Sequence, residues 1–250
     1  MTDPLAPLLD LPGVAEAADH AREALGRAHR HRANLRGWPV TAAEAALRAA
    51  RASSVLDGGA LQLDETSAGD PVFAGALRVT QALEGGNTAM VGVWRRAPLQ
   101  ALARLHALAA TDLVAEDQLG RPRLDPEISG RLDLMSRLVT GASAAPAPIL
   151  AAVVHGELLA LSAFGSADGV VARAAARLVT IASGLDPHGL GVPEVFWMRR
   201  SAEYREQGSA FASGGEKAVA AWLIFHCRAL REGAREALAI ADAKSQAAQS

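Results

Sequence analysis

Small and apolar residues recur at helical spacing through most of this 250-residue chain. From Val14 to about Arg36, Ala15, Ala18, Ala21, Leu25 and Ala28 form one stripe, and Trp38-Pro39 is expected to end that helix. Thr41-Ala42-Ala43-Glu44 has capping-box spacing for a second helix, which the glycines of Asp57-Gly58-Gly59 would stop. Asp70-Pro71 opens a third, with a capping acid followed by a first-turn proline, and Gly85-Gly86 closes it. Another starts at Pro98 after Trp94, placing Leu99, Leu102, Leu105, His106 and Ala109 on one face. Asp125-Pro126 begins the next, over Ile128 to Val139, before a loop from Thr140 to Pro148 whose prolines prevent continuation. The closing helix follows Gly214-Gly215-Glu216 with Val219, Trp222, Leu223, His226 and Leu230 in one stripe, and the polar tail from Lys244 is expected to fray.

The rest is organised around Leu158 to Leu178, LLALSAFGSADGVVARAAARL. An apolar helix from Ile149 passes His155 and Glu157, breaks at Phe164-Gly165, turns through Ser166-Ala167-Asp168-Gly169 and restarts at Val170. A helix that restarts after a glycine-bearing turn offers free backbone N–H groups and the positive end of its dipole, which suits an anion such as phosphate. Taken as a turn alone, the same residues redirect the chain and Asp168 caps the second helix.

Composition narrows the class. Half of the residues are apolar and 21% are charged, enough for a buried core without disulfides or metals. Abundant alanine with 4% aromatics predicts an all-α protein. A formal charge of −2 gives no broad basic field for nucleic acid and no polybasic membrane signal. Arg27, His29, Arg30, His31 and Arg32 are the densest basic cluster, but no aromatic residues interleave them, so a solvated face is expected; His29 and His31 are also poorly spaced to share a metal. Cys227 stands alone in an apolar helical stretch, the setting of a small buried hydrophobe. With no basic region followed by an apolar run at the amino terminus, and no stretch approaching about 20 apolar residues, no secretory signal or membrane span is expected and the cytoplasm is the expected location.

Ser162-Ala163-Phe164-Gly165-Ser166-Ala167-Asp168-Gly169-Val170-Val171-Ala172-Arg173 resembles the signature of the Fic (Fido) family of nucleotidyl transferases, H-P-F-x-D/E-G-N-G-R-x-x-R between two helices. In that family the histidine is the general base, the acid holds Mg²⁺, and the two arginines grip the β- and γ-phosphates. Phe164, Gly169 and Arg173 match; Ser162 stands at the base, Ser166 at the metal ligand, Ala167 at a glycine, Asp168 at the asparagine and Val170 at the first arginine. Upstream, Ser53-Ser54-Val55-Leu56-Asp57-Gly58 is similar to the family's inhibitory motif, S/T-x-x-x-E-G/N, with Asp57 for glutamate. In the family that glutamate pairs with the last arginine of the signature and blocks productive placement of the γ-phosphate, so the resemblance implies an Asp57–Arg173 pair, structural in a chain that has lost its base. His155 matches a second histidine upstream of many signatures and reads better as a core histidine with one hydrogen bond than as a substitute base. His106 falls in a phrase similar to L-x-x-L-H, as a packing or hydrogen-bonding residue. Gly120-Arg121-Pro122-Arg123 resembles the G-x-x-R segment near the family's target-docking β-hairpin, with little room for such a flap. Arg199-Arg200-Ser201-Ala202-Glu203-Tyr204 resembles the family's S…Y pattern on a helix lining the site.

The resemblance divides the chain into a helical extension at 1–40, a Fic-like all-α bundle at 41–243 with an inhibitory helix at 41–58, and a tail at 244–250. It implies an anion or nucleotide site at Phe164, Gly165, Ser166, Ala167, Asp168, Gly169 and Arg173, with Ser53, Ser54, Asp57 and Gly58 as the inhibitory element. The ligand would be ATP, another nucleotide or a phosphorylated small molecule; the Mg²⁺ ligand is not carried over, and a protein is the other class of partner. The expected function is a binding or regulatory module without AMP transfer. The alternatives are a transferase of altered chemistry on the same scaffold, drawing on Ser162, Ser166, Asp168, Arg173 and His155, and a helical protein-interaction module.

Overall fold

A computed structural model describes residues 3–60, 69–84 and 89–247. Among them there is no strand, and eleven α-helices follow one another: α1 (Val14–Arg30), α2 (Arg32–Leu56), α3 (Pro71–Leu83), α4 (Ala89–Arg96), α5 (Pro98–Ala110), α6 (Pro126–Arg137), α7 (Ala147–Leu161), α8 (Asp168–Ala182), α9 (Pro193–Arg199), α10 (Ser201–Ser213) and α11 (Glu216–Ala247). The α7–α8 hairpin is the centre. α7 is apolar on every side and buried on every side, as such a helix must be. Its Ala151, Val154, Leu158 and Leu161 join one core with residues of α3 to α6, whereas Ile149, Ala152 and Val153 join a second with α1, α10 and α11. Gly156 permits the second contact, because a Cβ there would run into the Phe211 and Trp222 rings. A small third core sets α2 against α9 and α11 through Ala45, Ala49, Ala52, Val192, Val195 and Ile240.

Local chemistry explains the sharpest boundaries. Asp70 caps α3 by accepting from the Val72 and Phe73 backbone N–H groups at 2.8 and 3.2 Å. Asp125 does the same for α6 through Glu127 N at 2.8 Å. α7 opens at Ala147, with Pro148 in its first turn, where its missing N–H is harmless. α4, which carries Met90, Val91 and Trp94 inward, was not anticipated from the pattern.

The first long helix breaks earlier than expected. His31 is extended (φ −61°, ψ 135°) and caps α2 by accepting from Ala33 N, and α2 then runs straight through Pro39. The donor that Pro39 lacks would have served the carbonyl of Leu35, a residue that is 65% exposed. Thr41 is no N-cap: it is buried, and its hydroxyl is directed to Asn34 Oδ1 (2.7 Å) and Trp38 O (3.1 Å). The helix expected at 41–58 is therefore Arg32–Leu56, and the boundary drawn at 40/41 falls inside it. The tail is helical to Ala247 rather than frayed from Lys244; residues 248–250 and the Gly85-Gly86 stop lie outside the described residues. The basic cluster is not uniformly solvated either, since His29 Nε2 lies 2.8 Å from the buried Asp186 carboxylate.

Candidate functional site

α7 ends at Leu161, before the break expected at Phe164-Gly165. Ser162 is left-handed (φ 43°), and its hydroxyl donates to Leu159 O at 3.2 Å. Arg123 seals this helix end: its backbone N–H donates to Ala163 O (2.8 Å) and its guanidinium to Leu161 O (2.9 Å) and Ser162 O (3.1 Å). The segment expected near a flap is thus a C-terminal cap for α7. Ala167 is the second non-glycine residue in the left-handed region (φ 51°), so the position that is glycine in the resembled signature keeps a glycine-like backbone despite its methyl group.

α8 begins at Asp168, but Asp168 is not its cap. Its Oδ1 accepts from Phe164 N at 2.9 Å and closes the turn; burial pushes this carboxyl up, against the opposing effect of the Phe164 and Gly165 N–H groups. The cap comes from the far end of α2. Asp57 Oδ2 accepts from Val170 N at 3.0 Å, and Asp57 Oδ1 accepts from Arg173 Nη2 at 2.7 Å. Gly169 leaves room for this carboxylate, since a Cβ there would strike it. The amino-terminal end of α8, where a helix dipole favours negative charge, is therefore occupied by the protein's own carboxylate.

Arg173 is 2% exposed and every arm of it is engaged. Nε donates to Ser53 Oγ (2.8 Å), Nη2 also to Ser53 O (3.0 Å), and Nη1 to Tyr204 Oη (3.4 Å). Burial by itself would disfavour the cation, but the Asp57 carboxylate and Tyr204 more than offset it and the guanidinium stays charged. The Tyr204 hydroxyl is pushed up to about 12 by burial, with Arg173 pulling the other way. Tyr204 also pairs with His155 Nε2 at 2.8 Å, so His155 is the expected core histidine with one hydrogen bond, turned away from any role as a substitute base. Ser53 thus contacts the arginine, whereas the buried Ser54 hydroxyl has no partner among the described residues and Gly58 (φ 92°) lets the chain leave α2.

On the other side of the turn, His106 stacks on Phe164 with ring centroids 4.3 Å apart. Its Nδ1 accepts from Gly120 N (2.9 Å), which places the proton on Nε2 for donation to Ser166 Oγ (3.0 Å). Burial lowers the His106 pKa, consistent with a neutral ring. Ser166, at the metal-ligand position, is tied to this histidine. A neutral hydroxyl so engaged is a poor substitute for the carboxylate that holds Mg²⁺ in the resembled signature, so the residue present does not fit that site; among the described residues there is no group of three or more His, Cys, Asp or Glu that could hold a metal ion.

Behind Arg173 lies an aromatic cluster of His155, Trp197, Tyr204, Trp222 and His226. His226 is fully buried with neither ring nitrogen hydrogen-bonded among the described residues, and burial pushes its pKa down to about 3. The folded state therefore refuses a proton that the unfolded chain accepts below about 6.5, so this group makes stability fall as pH drops from about 6.5 towards 3. Urea unfolding across that window is expected to show His226→Phe with a shallower pH slope than wild type, by up to about 1.4 kcal/mol per pH unit. Unchanged slopes would mean that the ring is protonated in the fold.

No protein-family model and no curated protein matches the sequence. The structure is similar to the crystal structure of a Fic family protein from Desulfovibrio desulfuricans G20, with a TM-score of 0.70 at 18% identity over 91% of this chain and 74% of that one. At that identity the likeness is one of fold: the chain is an all-α bundle of Fic type. No helix among the described residues is long and apolar enough to cross a membrane.

Proposed function

We propose that the protein is a Fic-fold binding or regulatory module that does not transfer AMP, and that it keeps an anion pocket closed by its own Asp57. The observation that carries this is the double engagement of the Asp57 carboxylate with Val170 N and Arg173. A phosphate oxygen seeking the same backbone donor and guanidinium would have to displace it. Asp57 is 19% exposed and lies over the nearly inaccessible Arg173, the order expected of a removable cover. Three features support loss of transfer: Ser162 has no basic group to offer, Ser166 is committed to His106, and Val170 brings no second guanidinium. Absence of a general base alone typically lowers a rate by about 10²- to 10⁴-fold. The ligand class is a nucleotide or other phosphorylated small molecule, and the regulated partner is a protein.

Equilibrium dialysis with labelled nucleotides, with and without Mg²⁺ or Mn²⁺, tests the reading. Weak or no binding is expected for wild type, clear binding for Asp57→Gly, and loss of that binding when Arg173→Ala is added. Label transferred covalently to protein from Mg·ATP would overturn the loss of transfer. An Asp57→Gly protein that binds no nucleotide would overturn the retained pocket.

A further inference from the structure

We infer that the outer face of α9, with the adjoining face of α11, docks an acidic, carboxylate-rich segment of a partner protein. α9 serves two environments. Glu194 and Trp197 turn inward beside Arg177 and His155, while Phe196 and Arg199 line an open groove of about 610 Å³. Four arginines, Arg199, Arg200, Arg228 and Arg235, border this groove with only two glutamates, Glu232 and Glu236. That excess of positive charge sits on a chain whose formal net charge is −2.

The two carboxylates are already in use. Glu236 pairs with Arg48, and Glu232 with Arg235 at 2.8 Å and Arg231 at 3.4 Å. Arg200 meets Glu203 at 3.0 Å in an exposed pair of little strength. Arg199 and Arg228 are exposed and meet no carboxylate among the described residues. Phe196 steadies two of these cations, with Arg200 Cζ and Arg228 Cζ 5.3 and 5.4 Å from its ring centroid. A guanidinium held over a ring keeps its edge N–H donors free, in a planar fork that matches a carboxylate.

The spacing favours a chain segment over a small anion. Arg228 and Arg235 are seven residues apart on α11, two turns or about 10 Å along one face. One phosphate cannot span that distance, whereas an extended peptide sets same-face carboxylates about 6.6 and 13 Å apart, intervals that bracket it and that flexible side chains can bridge. The groove is open and polar, unlike the enclosed apolar pockets that bury most of a small ligand. This surface is independent of the Asp57 pocket.

The test is fluorescence anisotropy with labelled decaglutamate. Wild type is expected to bind with an affinity that falls as salt is added, and Arg199→Glu with Arg228→Glu to weaken binding by about tenfold or more. A control with the same charge change on α1, Arg22→Glu with Arg27→Glu, is expected to weaken binding by no more than about twofold, because these exposed residues do not border the groove and act on it only through screened charge. Excess pyrophosphate at matched ionic strength is expected not to displace the peptide. Since both groove arginines are exposed, circular dichroism and urea midpoints should match wild type; if the reversals disturb folding, Arg199→Gln with Arg228→Gln replaces them. No binding by wild type, an equal loss in the α1 control, or displacement by pyrophosphate would each overturn the inference.

Discussion

Glu194→Ala is expected to lower the free energy of unfolding by about 3–5 kcal/mol, because it strands a buried cation. Glu194 is 3% exposed and Arg177 9%. Arg177 Nη2 donates to both Glu194 oxygens, at 3.1 and 2.9 Å, and Nη1 donates to Gly189 O at 3.1 Å. After truncation only the Gly189 carbonyl and the nearby Asp186 carboxylate remain to answer the charge. Asp186 is occupied by His29 and by the Leu190 and Gly191 N–H groups. The pair joins the first turn of α9 to α8, so the loss should loosen the wall behind Arg173 as well. Urea unfolding would measure it, with Glu194→Gln as the milder comparison that keeps a hydrogen-bond acceptor. A loss below about 1 kcal/mol would show that water reaches Arg177 and that the pair adds little.

Asp57→Ala removes two interactions together and is expected to destabilise by about 3 kcal/mol. Arg173 loses its only carboxylate partner among the described residues, and α8 loses the acceptor for Val170 N, a cap worth about 1 kcal/mol. The effect should sit at the lower end for a buried pair, because Ser53 and Tyr204 still hold the guanidinium. The distinctive part is rescue. An anion that enters the vacated position restores stability in proportion to its occupancy, about 2.7 kcal/mol at a hundredfold excess over its Kd. Thermal unfolding with added pyrophosphate should therefore raise the midpoint of Asp57→Ala while leaving wild type unmoved. Equal responses in both proteins would mean that Asp57 does not guard the pocket.

Sequence reasoning succeeded where the physics is local. The alanine-rich composition gave the all-helical class, and Asp70-Pro71 marked the start of α3 because cap and proline act within one turn. It failed where a partner arrives from far away. Asp168 stands in the usual place for a cap, yet the N–H of Val170 is met by a carboxylate 113 residues earlier in the chain. The Asp57–Arg173 contact was legible only through the resemblance of two motifs, since no spacing rule links residues so distant. Pro39 misled for a different reason: an interior proline leaves one carbonyl without its donor and crowds it, yet α2 bears that cost at the turn of the exposed Leu35 rather than ending there. Arg123 gave no local sign of its role, because three carbonyl acceptors converge on it only after α7 has ended in a left-handed turn.

The packing of α1 on α11 bears on how the protein is made. Ala18, Ala21, Leu25 and Ala28 are buried in a core that includes Leu230, Ala234 and Ala237, so α1, although α2 and α7 also touch it, finds its main packing partner in a helix far along the chain. Arg173 closes a shorter but still long loop of 116 residues back to Asp57. Contacts spanning so much of the chain slow folding relative to a bundle of sequential neighbours. Until α11 packs on it, the alanine stripe of α1 keeps much of its apolar surface uncovered, and such exposed surface is prone to association.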